Sequence, residues 1–78
     1  MLTESDYQKL YQTAFKYAFT IIRNQDDAED IAQDSILQLF PKIDEIKIIE
    51  RYLLKIVKHK CYKILQKRKQ QNIKVSEI

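Results

Sequence analysis

Residues 26–40 read DDAEDIAQDSILQLF, and this stretch decides the fold. Its small and apolar residues recur at the three- and four-residue spacing of an amphipathic helix. Acidic residues crowd its start, where the helix dipole favours negative charge, and Pro41 follows it directly. We predict a helix that is capped by Asp26, with Glu29 completing a capping box, and that ends before Pro41. The stripe expected to be buried is Ala28, Ile31, Ala32, Ser35, Ile36, Leu39 and Phe40.

The segment before this stretch has the pattern of a first helix, from about Glu4 to Arg23. Either Thr3 or Ser5 is suited to cap it. Its apolar face is broad enough to touch two other helices. That face comprises Tyr7, Leu10, Tyr11, Ala14, Tyr17, Ala18, Ile21 and Ile22, widened by Phe15 and Phe19.

After Pro41, residues 41–47 form a connector with room for one short helical turn, and a third helix is expected from near Ile48 to about Gln70. Its core side comprises Ile49, Leu53, Ile56, Val57 and Ile64. The sequence therefore predicts an all-α fold, a compact bundle of three main helices over residues 1–70. Residues 71–78 are predicted to be a flexible tail or the start of a linker.

The composition excludes several classes of protein. The 78 residues include no Gly, one Pro and one Cys, so turns that need a positive φ are scarce and an internal disulfide is impossible. We expect Cys61 to be a buried structural thiol. Because the sequence holds no phosphate loop, zinc motif or plausible triad, we expect no enzymatic activity, cofactor or metal. Without a membrane-spanning run or a signal peptide, we expect a cytoplasmic protein.

The charges are segregated along the chain. Residues 1–50 hold five Lys or Arg and ten Asp or Glu, a net charge of −5. Residues 51–78 hold nine Lys or Arg and one Glu, a net charge of +8, which brings the whole chain to +3. Such asymmetry favours two different partners for two different faces.

The basic face belongs to the third helix and lies opposite its apolar stripe. Lysines release counterions from phosphates, and an aromatic ring among them offers a base a surface to stack on. Nucleic acid is the favoured ligand; a merely solvated face and an anionic membrane surface are the alternatives. Tyr52, at the edge of the stripe, fits either core packing or exposure beside DNA. The face comprises Arg51, Lys55, Lys58, His59, Tyr62, Gln66 and Lys69.

The second helix has the opposite character. Its face away from the buried stripe is acidic, and Leu37 is predicted to be exposed at its centre. Acids repel phosphates, so this face suits docking on a basic protein surface. The face comprises Asp27, Asp30, Gln33, Asp34, Leu37 and Gln38.

Residues 26–40 also resemble the DAED-containing helix of sigma-70-family factors, especially the extracytoplasmic-function group. Residues 7–11 (YQKLY) are similar to that group's opening helix, and residues 52–60 (YLLKIVKHK) to its W-L-Y-R-I-A-R-N helix. Order and spacing agree over about residues 4–70, which is region 2 of these factors. Tyr52 stands where the family usually has Trp. The connector before it is short and lacks the family's usual Gly.

The resemblance implies a function and two partners. In that family the second helix docks on the clamp helices of the RNA polymerase β′ subunit, and the last helix binds and melts the promoter −10 element. The polymerase-binding residues would be Asp30, Gln33, Asp34, Leu37 and Gln38. The DNA-binding residues would be Arg51, Tyr52, Lys55, Lys58, His59, Tyr62, Lys63 and Gln66.

Other readings stay open on the sequence. The chain stops after region 2, as expected of an excised domain or of a subunit of a split sigma factor, in which a second chain supplies region 4. An anti-sigma factor is a further partner that the resemblance allows. The competing functions are a stand-alone nucleic-acid-binding regulator and a protein-interaction adaptor that mimics region 2.

Overall fold

The structure, a computed structural model, describes the backbone of residues 3–77 and the side chains of residues 3–68. The chain forms α1 (Glu4–Ile22), α2 (Gln25–Leu39), a 3₁₀ helix (Phe40–Glu45) and α3 (Ile49–Glu77). No strand occurs in the described range. The predicted all-α bundle of three main helices is therefore confirmed, with the short helical turn placed in the connector.

Both ends of α1 are fixed by local chemistry. Thr3, not Ser5, is its cap: the Thr3 hydroxyl accepts from the Asp6 N–H at 3.2 Å, and the Asp6 carboxylate accepts from the Thr3 N–H at 3.1 Å. The Asp6 carboxylate accepts hydrogen bonds from Thr3, chiefly from its backbone N–H, and these favour the ionised form and lower the pKa of Asp6. At the other end Arg23 adopts the left-handed conformation with φ 59°, which stops the helix and turns the chain towards α2.

The start of α2 differs from the prediction. The cap is Asn24, whose side-chain oxygen accepts from the Asp27 N–H at 3.0 Å, and the predicted Asp26 cap is wrong. Asn24 has the extended backbone that a cap requires, and Asn is as good a capping residue as Asp. Asp26 instead lies in the first turn, where its charge still favours the helix dipole.

Phe40 is a second correction. It was expected in the buried stripe of α2, but it lies in the 3₁₀ helix and is 39% exposed. Its ring stacks on Tyr7 of α1 with the centroids 5.7 Å apart. Pro41, at the start of the 3₁₀ helix, makes the chain leave the α-helical path, so Phe40 moves from the core to its edge.

One apolar core joins the three helices, and α1 packs against both α2 and α3 as its broad face predicts. Leu53 and Val57 of α3 have no exposed surface, and neither does Leu39 of α2. The core comprises Ala14, Ala18, Ile22, Ala28, Ile31, Ala32, Ile36, Leu39, Leu53, Ile56, Val57 and Cys61. Small residues on α1 and α2 let these two backbones approach closely.

The helix α3 is longer than predicted. Its backbone is helical to Glu77 rather than to about Gln70, and the molecule measures 53 × 23 × 15 Å. The division into a domain over residues 1–70 and a tail over residues 71–78 stays a prediction, and Ile78 lies outside the described residues. No helix in the described part of the chain is long and apolar enough to cross a membrane.

Cys61 is fully buried, as predicted, and its burial raises the pKa of the thiol above the ordinary value of 9.0. We expect a thiol reagent to label the folded chain far more slowly than the urea-unfolded chain. Equal labelling rates of the two states would contradict the burial.

The same burial makes stability depend on pH. Because the folded state holds the thiol proton to higher pH, this thiol contributes stability below pH 9 that is lost as pH rises above it. Urea unfolding at pH 8 and 10 should show this loss in the unmodified chain. In a Cys61→Ala variant, the free energy of unfolding should change less between these two pH values.

Candidate protein-docking and nucleic-acid interfaces

The helices α2 and α3 lie side by side and run in opposite directions. Asp27, near the start of α2, forms an ion pair with Arg68, late in α3. Gln38, near the end of α2, lines a groove with Tyr52 and Lys55 from the first turns of α3. This antiparallel arrangement places α2 beside the part of α3 between Tyr52 and Arg68.

The acidic side of α2 therefore borders the later part of α3. Asp30 and Asp34 line a groove of about 460 Å³ together with lysines of α3, namely Lys60, Lys63 and Lys67. The Asp27–Arg68 pair extends the same contact line, with both side chains partly exposed. We call this groove, together with the Asp27–Arg68 pair, the seam between α2 and α3. Opposite charges at the seam lower the positive potential around its lysines. Lys55 and Lys58, in the first half of α3, do not line this groove.

A groove of about 670 Å³ opens on that first half, and we call it the tyrosine–lysine groove. It is lined by two tyrosines, four lysines, one histidine and one glutamine, with Ile56 at its base. These polar and aromatic residues are Gln38, Tyr52, Lys55, Lys58, His59, Lys60, Tyr62 and Lys63. The groove combines positive charge with aromatic faces, the two features that bind single-stranded nucleic acid.

Each of the two tyrosine rings in this groove contacts another part of the domain, and each also lines the open groove. Tyr62 is 49% exposed, and the ammonium of Lys58 lies 5.7 Å from the centroid of its ring. That cation–π contact places a positive charge beside the ring. Tyr52 is half-buried: it packs against the core, as one of its two predicted roles requires, and it also lines the groove.

A second groove, the leucine groove, lies on the other side of α2. It has a volume of about 480 Å³ and is lined by Tyr7, Gln8, Tyr11 and Gln12 of α1 with Gln33 and Leu37 of α2. Leu37 is 68% exposed, more than any other large apolar side chain within residues 3–68, and its predicted exposure is confirmed. Leu37 is thus exposed beside two tyrosines. Asp30 and Asp34 are exposed on the same helix. An exposed apolar side chain next to aromatic and acidic groups is typical of a docking surface.

The predicted site residues thus fall into three places. Gln33 and Leu37 share the leucine groove, while Asp30 and Asp34 lie at the seam beside Lys63 and Gln66. Most of the predicted DNA-binding residues meet in the tyrosine–lysine groove, with Lys63 lining both it and the seam. Arg51 is exposed one helical turn before Lys55. The side chain of Lys69 lies outside the described residues.

Sequence reasoning missed the contribution of α1 to the leucine groove. Tyr7 and Tyr11 fall on the predicted apolar face. Tyr11 packs against the core, whereas Tyr7 is 38% exposed, and both rings line the groove. The hydroxyl of a tyrosine needs water or a partner, and this was a signal that these rings lie at an edge. The Asp27–Arg68 ion pair had no sequence signal, because it depends on how α2 and α3 lie against each other.

The fold and the grooves define a compact helical module with a basic, aromatic groove next to an acidic, apolar one. The chain matches the model of the family Sigma-70 region 2 over residues 6–71, and it belongs to that family. It is thus a domain of the sigma-factor type, with a role in transcription initiation. The family is non-enzymatic and implies RNA polymerase core and promoter DNA as partners. Comparison with curated proteins finds no match, and comparison with solved structures finds none either.

Proposed function

We propose that this chain docks on the clamp helices of the polymerase β′ subunit through α2, and that it binds and melts the promoter −10 element through α3. The observation that carries the proposal is the separation of two grooves on one small bundle. Leu37 lies in one groove, and Tyr52 and Tyr62 lie in the other. One domain of this shape bridges two partners without a hinge between them.

The docking half rests on exposed apolar and acidic groups. Leu37 would enter a pocket of the partner, which removes a largely exposed side chain from water. Asp30 and Asp34 would meet basic side chains of the β′ surface, and Gln33 would hydrogen-bond at the edge of the leucine groove. A buried apolar anchor ringed by charged pairs is the usual composition of a specific interface.

The DNA half rests on the tyrosine–lysine groove. Lys55, Lys58 and Lys63 would neutralise successive phosphates, with His59 and Arg51 extending the same surface. Tyr52 and Tyr62 would stack on unpaired bases, which offsets the few kcal/mol that each unstacked step costs. The connector before α3 is short and contains a 3₁₀ helix, so the groove wall, not the connector, would hold an unstacked base.

The test of the docking half is a pull-down with polymerase core and with an isolated β′ clamp-helix fragment. We expect the unmodified chain to be retained by both at low ionic strength and to be released as salt rises. A stand-alone DNA-binding regulator would not be retained by either. Absence of retention at low ionic strength, with the chain folded, would overturn the docking proposal.

The test of the DNA half is the salt dependence of binding to a single-stranded −10 oligonucleotide. For single strands, the slope of log affinity against log salt changes by about 0.7 for each neutralised phosphate. The double variant Lys55→Ala/Lys58→Ala should therefore have a slope shallower by roughly 1.4. Fluorescence anisotropy over a salt series measures this slope.

A matched control keeps the total charge change the same. The double variant Lys9→Ala/Lys16→Ala removes two exposed lysines from α1, away from the groove. It should leave the slope unchanged within error. If both variants change the slope equally, the affinity depends on net charge alone, and the tyrosine–lysine groove is not the binding site.

A further inference from the structure

The outward-facing residues of α2 and those of α3 form two stripes with the same spacing. The α2 stripe lines the leucine groove and an adjoining acidic groove of about 350 Å³, and Gln33 lines both. The α3 stripe begins at Arg51 and continues into the tyrosine–lysine groove. All eight side chains are exposed. The α2 stripe comprises Asp26, Asp30, Gln33 and Leu37, and the α3 stripe comprises Arg51, Lys55, Lys58 and Tyr62.

Successive residues in each stripe are four, three and four positions apart. This is the spacing at which one side of a helix meets a partner helix in a parallel coiled coil, where equivalent positions of the two helices face each other. An in-register, parallel contact between the two stripes would therefore set each residue against its counterpart. The resulting pairs are Asp26 with Arg51, Asp30 with Lys55, Gln33 with Lys58, and Leu37 with Tyr62.

The four pairs are chemically complementary. Two of them join a carboxylate to a cation, one lets an amide oxygen accept from an ammonium, and one packs an apolar side chain on an aromatic ring. These contacts cannot form within one copy, because its α2 and α3 run antiparallel. Asp30 consequently lies at the seam beside Lys63, whereas Lys55 lines only the tyrosine–lysine groove. The complement of each stripe is therefore found on another copy of the chain.

We propose that this chain self-associates by packing α2 of one copy in parallel against α3 of a second copy. The residue-by-residue match of charge assigns the occupant of each stripe. The contact joins two different patches, so each copy of a pair keeps one stripe free, to which a further copy can add. This goes beyond the proposed function. Since Leu37 and Tyr62 also belong to the surfaces proposed for polymerase and DNA, a self-associated copy has a covered partner surface.

Sedimentation equilibrium of the full chain measures this association without polymerase or DNA, so its outcome is independent of the proposed function. Four residues from each copy make a contact below standard size, and we expect a dissociation constant of roughly 0.1 mM at low salt. The weight-average mass should rise above that of the monomer between roughly 10 µM and 1 mM chain. It should return to the monomer mass at roughly 0.5 M salt, where exposed charge pairs are screened. A chain that stays monomeric at low salt over this range would overturn the proposal.

Two charge reversals distinguish paired stripes from general attraction. Asp30→Lys raises the net charge by two, from +3 to +5, and Lys55→Glu lowers it by two, from +3 to +1. Each variant alone sets like charges against each other, so its association should weaken at least roughly tenfold. An equimolar mixture should associate at least as tightly as the unmodified chain, because Asp30 of one variant then meets Lys55 of the other. Both variants are net positive, so general attraction predicts no such recovery.

Asp44→Lys is the matched control, since it makes the same charge change as Asp30→Lys on the 3₁₀ helix, outside both stripes. Its dissociation constant should stay within about twofold of that of the unmodified chain. All three positions are exposed, so circular dichroism should show the same helix content in every variant. The pairing of α2 with α3 is refuted if Asp44→Lys weakens association as much as Asp30→Lys does. It is refuted equally by a mixture of the two reversed variants that associates no better than either alone.

Discussion

Asp34→Lys is expected to abolish the binding of this chain to RNA polymerase core while leaving the helical bundle folded. Asp34 is exposed on α2, one helical turn after Asp30, and both line the seam with lysines of α3. Reversing its charge would put a cation against the basic surface of the partner, and such changes at charged interfaces cost about 2–5 kcal/mol. This corresponds to a loss of affinity of roughly 30- to several thousand-fold. Pull-down and a binding titration with polymerase core measure it.

The control variant is Asp44→Lys, which makes the same change on the exposed 3₁₀ helix Phe40–Glu45. It should keep polymerase binding, because it lies outside the leucine groove and the seam. Circular dichroism should show an intact bundle for both variants, since surface charge changes cost about 1 kcal/mol or less. Equal loss in both variants would show that the effect is general repulsion and would contradict docking through α2.

The same Asp34→Lys variant makes a second measurement informative. Asp34 lines the seam beside Lys60 and Lys63, so its carboxylate weakens the positive field that those lysines direct at DNA. We expect Asp34→Lys to bind single-stranded DNA more tightly than the unmodified chain, in the same preparations that lose polymerase binding. Opposite changes in the two affinities exclude simple misfolding, which would lower both.

Much of the fold follows from the sequence because its helices are amphipathic and their boundaries are marked by local chemistry. The pattern over residues 26–40 and Pro41 gave α2 to within a residue or two. The errors are also local. Asn24 competes with Asp26 as a cap, and Phe40 leaves the core because Pro41 changes the helix type. Neither choice is visible in periodicity alone.

The candidate site is less predictable, because it depends on the relative placement of helices. The exposure of Leu37 follows from the helical wheel of one segment. The pairing of Asp27 with Arg68, and the position of Gln38 beside Tyr52, depend on α2 and α3 running antiparallel at close distance. A single-helix projection assigns Gln38 to the acidic face, and the neighbouring helix places it in the basic groove.

Leu53→Ala is expected to have the largest effect on stability. Leu53 is fully buried in the core that α3 shares with α1 and α2. Truncating such a leucine costs about 2–5 kcal/mol, whereas a domain of this size is stable by only about 4–12 kcal/mol. The midpoint of thermal unfolding should fall by roughly 10–40 °C. Leu65→Ala on the same helix is the matched control, since Leu65 is 37% exposed and its truncation should cost about 1 kcal/mol or less.

Polymerase core should stabilise the folded chain by binding it, and the destabilised variant Leu53→Ala makes this stabilisation measurable. A partner that binds only the folded chain raises its apparent stability by about 2.7 kcal/mol at a hundredfold excess over the dissociation constant. Polymerase core should therefore restore much of the protease resistance that Leu53→Ala loses, since this variant keeps both grooves when folded. The variant Asp34→Lys/Leu53→Ala should stay protease-sensitive in the presence of core. Equal protection of both variants would show that core binds through surfaces other than α2, and no protection of either would show that the folded bundle is not the species that polymerase recognises.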